Sequence, residues 1–141
     1  MWKQRIQALC VECTFRSSAI ASELEETEMA LEVALPTELK ELLLESNGVL
    51  DEYRYRVIWP AEKIVGENRL YRTYPDFKLL YMPFDCLLFF GEEGNGDLYA
   101  YVITEGAIRR PDVFLWEHET DSRHWYARWM GHYLEKRLAS R

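Results

Sequence analysis

The sequence predicts an α+β domain in which N-terminal helices and a C-terminal helix flank a small antiparallel β-sheet. Three observations carry this prediction. Leucines recur at helical spacing among glutamates between residues 20 and 43. Apolar runs and alternations of strand type stand on either side of the reversal Gly94-Asn95-Gly96. Ala127, Met130, Leu134 and Leu138 then return to one helical line, with Tyr126, Trp129 and Tyr133 beside it. A length of 141 residues with no repeat or low-complexity linker predicts one domain over 1–141.

Residues 2–11 read as a short helix or irregular arm with Trp2, Ile6 and Leu9 on one side. After the connector Phe15-Arg16-Ser17-Ser18, Ile20, Leu24, Leu31 and Leu35 mark an amphipathic helix over about 22–33. Glu23, Glu25, Glu26 and Glu28 suit the positive end of its dipole. Pro36 restarts the chain in a first helical turn, where its missing N–H costs nothing. Leu39, Leu42 and Leu43 form the buried stripe of the second helix, and Ser46-Asn47-Gly48 ends it through a left-handed Asn or Gly. The two helices are expected to pack on each other through their leucines.

From Tyr53 the period shortens to two, so Tyr53–Trp59 reads as a strand up to Pro60. A short helix follows from Pro60 toward Tyr71, weakened by Gly66. Tyr74-Pro75-Asp76 reads as a turn and 78–81 as a brief strand. Cys86–Phe90 is apolar at every position, which predicts a strand covered on both faces, with the Cys86 thiol packed in the core. Leu98, Ala100 and Val102 alternate with Tyr99, Tyr101 and Ile103, giving the second arm of a hairpin. Val113–Trp116 is the last strand, and the tail from His124 to Leu138 reads as one helix.

The net charge of −7 is unevenly placed. Residues 1–52 carry eleven acidic and four basic side chains, whereas the remainder carries thirteen of each. Such a chain repels a phosphate backbone and attracts a basic protein, with a rate that salt weakens. The interleaved Arg54, Arg56, Arg69 and Arg72 with Tyr53, Tyr55, Tyr71 and Tyr74 suit a protein contact better than stacked bases in this acidic context. Three cysteines, an odd number, favour a reducing compartment. No secretory leader is visible, and the longest apolar clusters are far shorter than the ~20 residues a membrane helix needs. A cytoplasmic protein without a membrane role is expected.

The sequence carries no motif specific to covalent chemistry. No Gly-x-Ser-x-Gly elbow is present, His118-Glu119 lacks the second histidine of a zincin helix, and Cys10 and Cys13 make only half of a zinc site. Neither a catalytic residue nor a metal or other cofactor is expected. Glu92, Glu93 and Asp97 stand at the hairpin Gly94-Asn95-Gly96-Asp97. They are open to three uses: shaping the turn, contacting a protein, or acid–base work. In the first, Asp97 accepts amide protons within the turn.

In order and spacing, several features resemble the SMI1/KNR4 family of the SUKH superfamily from about Glu28 to Leu138. These are the acidic helix running into Leu35-Pro36, the leucines at 39, 42 and 43, Asn47-Gly48 and Trp59-Pro60. Phe90-Gly91 with Gly94-Asn95-Gly96-Asp97, and His118-Glu119 before the last element, complete the set. Residues 1–17 are then a less typical N-terminal extension. The resemblance implies an α+β protein-interaction domain without established catalytic residues. For bacterial members it implies immunity, the binding and neutralising of a cognate toxin, often a nuclease. Candidate contacts are Glu23, Glu25, Glu26, Glu28, Asp51, Glu52, Glu92 and Glu93. The alternatives are a small-ligand binder or enzyme using Asp97 and His118, and a regulatory scaffold. The sequence leaves the oligomeric state open.

Overall fold

A computed structural model describes residues 1–139. Helices α1 (Trp2–Leu9), α2 (Ala21–Leu31) and α3 (Thr37–Glu45) precede α4 (Ala61–Thr73), α5 (Pro75–Leu80) and the C-terminal α6 (Met130–Leu138). A three-stranded antiparallel sheet joins β1 (Thr14–Phe15), β2 (Val49–Leu50) and β3 (Arg56–Ile58). A four-stranded antiparallel sheet joins β4 (Leu87–Glu92), β5 (Leu98–Val102), β6 (Val113–Glu117) and β7 (Ser122–Ala127) in chain order. The predicted fold class, helices around antiparallel strands, is the one observed.

The two sheets meet where the Trp59 N–H donates to the Phe90 carbonyl at 2.7 Å. Phe90 sits at the irregularity in the β4–β5 register, between the pairs Phe89–Ala100 and Gly91–Tyr99. A side chain at Gly91 would bring its Cβ to 2.3 Å from the Val57 carbonyl, so the junction requires glycine. From there α6 is tied down, because the Tyr133 hydroxyl donates to that same Val57 carbonyl at 2.7 Å.

β4 is buried on both faces from Leu87 to Gly91, which explains its apolar run Leu87–Phe90. On one face Phe89 and Trp116 pack with Tyr71 and Phe84. On the other, Phe90 and Tyr99 meet Tyr133 of α6, and Tyr101 packs on Phe90. Asn68 of α4 is buried and completes the backbone pairing of β4. Its amide donates to the carbonyls of Ile64 (2.7 Å) and Phe89 (2.9 Å) and accepts the Phe89 N–H at 2.8 Å. Trp2 and Ile6, within the predicted N-terminal extension, belong to the core.

Several local expectations are corrected. The stretch 78–81 lies in α5 and its exit instead of in a strand, because Pro75 opens a helical turn. Residues 122–127 form β7, so the C-terminal helix begins only at Met130. Tyr53 and Arg54 lie in the turn before β3, with Arg54 at a φ of +70°. Cys86 is exposed instead of packed. Helix α2 packs chiefly on α4, while α1 packs on α3, so the leucine-to-leucine contact expected between α2 and α3 is not the main one. The exit from α3 is met in part: Gly48 takes a φ of +109°, but the capping Ser46 is extended, and the Asn47 side chain caps α4, its oxygen accepting the Ala61 N–H at 2.8 Å.

Candidate protein-binding surface

The acidic residues separate into two groups with different duties. The first follows α2. Glu23 accepts the Ile20 N–H at 3.0 Å and so closes the helix start. Glu28 accepts the Leu35 N–H at 2.7 Å and pairs with Lys40 of α3 at 3.4 Å. Glu25 and Glu26 are exposed, and among the described residues neither takes part in a salt bridge. Glu32, also exposed, continues the ridge one turn beyond Glu28, and Met29 stands on it with 79% of its surface open to solvent.

Shallow grooves run on both flanks of this ridge. One of about 370 Å³ is lined by Glu25, Glu28, Lys40, Glu41 and Leu44, between α2 and α3. Another of about 320 Å³ is lined by Glu23, Glu26, Ala30 and Glu62, between α2 and α4. Sequence reasoning missed Glu32, Glu41, Glu62 and Met29. Glu32 and Met29 were within reach, since positions 25, 28, 29 and 32 share one helical face.

The second group is built into the fold. Asp51 is almost fully buried and pairs with Arg137 of α6 at 3.0 Å, the side chains being 5% and 0% exposed. Its other oxygen accepts the N–H groups of Tyr53 and Tyr55, each at 2.9 Å. The same guanidinium donates twice to the Glu92 carbonyl, at 3.0 and 3.1 Å. The Glu92 carboxylate accepts the Trp59 indole N–H at 2.9 Å, and Glu93 accepts the Tyr99 hydroxyl. Burial first, with Tyr133 and the Glu93 contact adding to it, drives the Tyr99 phenol pKa well up and keeps it neutral. Asp51 thus has a structural duty, whereas its neighbour Glu52 is exposed.

Asp97 does not serve the turn in the expected way. Within the turn its own N–H donates to the Asn95 side chain at 3.0 Å. Its carboxylate accepts instead from the His118 N–H at 3.1 Å and lies 2.7 Å from His118 Nδ1. The His118 ring fills the space beside Gly96, whose φ is +104°. The pair therefore staples the β4–β5 hairpin to the end of β6. The other ring nitrogen, Nε2, faces the Glu119 carboxylate at 4.0 Å. Among the described residues, no group of three or more His, Cys, Asp or Glu side chains is placed to hold a metal ion. No helix among them is long and apolar enough to cross a membrane.

Glu38 shows how α3 supports the C-terminal part of the domain. Its carboxylate accepts the Met130 N–H at 3.1 Å, at the start of α6, and the Tyr101 hydroxyl at 3.3 Å. Burial raises its pKa despite those two donors. Glu38 of α3 thereby links β5 to the start of α6.

No match is found among curated proteins. A family model described as SMI1-KNR4 cell-wall matches residues 21–134, from the first residue of α2 into α6 and leaving α1 and β1 outside, and the chain belongs to this SMI1/KNR4 (SUKH) family.

Proposed function

We propose that this protein is an immunity-type binding protein that captures a basic protein toxin on the acidic ridge of α2 and neutralises it without turnover. Membership in the family supports a protein-interaction role. The observation that carries the finer reading is the contrast between the two acidic groups. Asp51, Glu92 and Glu93 are occupied within the fold, while Glu25 and Glu26 project from α2, and Glu32 from the residue that ends it, beside the exposed Met29. Exposed carboxylates around an apolar residue suit a partner that presents Lys and Arg around an apolar contact. A nuclease fits this description, since its phosphate-binding surface is cationic.

The ridge has a kinetic consequence. A concentrated negative field raises the encounter rate with a cationic partner by roughly 10- to 1000-fold at low salt, and added salt removes that gain. The test is co-expression with the product of the neighbouring gene, followed by co-purification. Rescue of growth together with a stable complex supports immunity. Toxicity that persists despite soluble expression of both chains refutes it.

A further inference from the structure

The side of the molecule formed by α5 and its exit carries a surface unlike the acidic ridge. Leu79, Leu80 and Met82 are 87%, 69% and 66% exposed, on five consecutive residues that also include Lys78 and Tyr81. Contiguous exposed apolar side chains of this size mark an interaction surface. Beside them opens a cleft of about 370 Å³ whose walls are Tyr71, Phe77, Tyr81 and Phe84. Those rings pack in tilted and edge-to-face contacts with one another and with Trp116, which holds the walls in place. A projecting apolar knob and an aromatic hole therefore lie next to each other on one patch.

The charges of the patch have the same dual character. Arg72, Lys78 and Asp85 border the cleft, and Asp76 lies on α5. Among the described residues none of these four has a salt bridge within 4.0 Å. Two cations and two anions cancel, so the patch neither attracts a basic partner as α2 does nor repels a copy of itself. The acidic ridge, by contrast, would repel its own copy.

We infer that α5 and the adjoining aromatic cleft form an isologous interface with a second copy of this chain. About a twofold axis, Leu79 of each protomer faces the partner's cleft, which Met82 also lines, and Lys78 of each faces the partner's carboxylates. A surface that carries both the knob and the hole, and both charge signs, is what a twofold axis requires. The inference does not depend on the α2 reading. It leaves α2 of each protomer free, so the dimer would present two acidic ridges.

The test is sedimentation velocity on the full chain from about 1 µM to about 100 µM. The expected species at the upper end has twice the 16.8 kDa mass of the chain. Leu79→Glu and Met82→Glu, both at exposed positions, should each raise the dissociation constant at least ~10-fold, while Met29→Glu on α2 leaves it unchanged. Far-ultraviolet circular dichroism of the variants checks that they remain folded. A wild-type chain that is monomeric at about 100 µM overturns the inference. So does a dimer indifferent to both substitutions. A monomeric wild type whose Leu79→Glu variant loses toxin capture would assign the patch to the toxin instead.

Discussion

Replacing Arg137 by methionine tests how the C-terminal helix is locked to the rest of the domain. The substitution keeps an unbranched apolar stem and deletes the guanidinium that bridges Asp51 and the Glu92 carbonyl. Asp51 would remain as a buried carboxylate held by the Tyr53 and Tyr55 N–H groups alone. Breaking a buried ion pair from one side costs about 3–5 kcal/mol. The two retained N–H donors soften that loss, so about 3 kcal/mol is expected, a large share of the ~5–15 kcal/mol that stabilises a domain. Asp51→Asn keeps an oxygen for Tyr53 and Tyr55 and should cost about 1–3 kcal/mol. The double variant should lose at least ~1.5 kcal/mol less than the sum of the single losses, because each partner's absence relieves the other's unpaired state. Urea unfolding followed by tryptophan fluorescence, with equal m-values required, measures all four chains. Additive losses, or an Arg137→Met cost below ~1 kcal/mol, would refute the view that this pair is a buried, coupled lock.

Three further outcomes are expected. Asn68→Leu leaves the Phe89 N–H and carbonyl without their side-chain partner and should cost about 2–4 kcal/mol by urea unfolding; a loss under ~1 kcal/mol would contradict the pairing described for β4. Gly91→Ala should fail to yield a native-like fold or lose more than ~3 kcal/mol, because its Cβ meets the Val57 carbonyl at 2.3 Å; an unchanged melting curve would contradict the close approach of β3 and β4. The pH profile should have two opposed parts. At Glu45, burial alone would raise the pKa. The Lys3 and Trp2 N–H groups and the terminal ammonium outweigh it and hold the pKa below 4.5. At Asp121, burial is likewise outweighed, by the Met82 N–H, the Trp116 indole and Arg123, so its pKa stays below 3.8. Their contributions are present above those values and are lost as pH falls through the lowered pKa values. Glu38, raised by burial above 4.5, acts oppositely, and its contribution grows as pH falls toward 4.5. Melting temperatures against pH should therefore show Glu45→Gln and Asp121→Asn flattening the acid limb. The benefit of Glu38→Gln relative to wild type should be greater at neutral pH than near pH 4.5; parallel curves would contradict these assignments.

Much of the architecture was legible because the pattern and the burial agree. The leucines of α3 are buried on one stripe, and the all-apolar run of β4 is covered on both faces. The misses have physical causes. In β7, Arg123, His124 and Trp125 are polar or partly exposed, while Tyr126, Trp129 and Tyr133 recur at three- and four-residue steps, so the helical period masks a strand. Strands β1 and β2 have two residues each, too few for a period to register. Long-range pairing was out of reach for the acidic residues. Asp51 and Arg137 are 86 positions apart, and nothing local separates a carboxylate bound for a buried ion pair from one left in water. Glu23, Glu25, Glu26 and Glu28 were visible because they share one helix, whereas the neighbouring Glu41 and Glu62 join them only through the packing of α3 and α4.

On the proposed function, the exposed carboxylates of α2 and of Glu32 at its end steer and hold a cationic partner. The most direct measurement is the association rate constant between this chain and its co-purified partner, from about 50 mM to about 500 mM salt, for wild type and for Glu25→Lys/Glu26→Lys/Glu32→Lys. The expected result is a wild-type rate that falls at least ~10-fold across that range and a triple variant that is slow throughout. Equal rates for the two proteins at every salt concentration would contradict it.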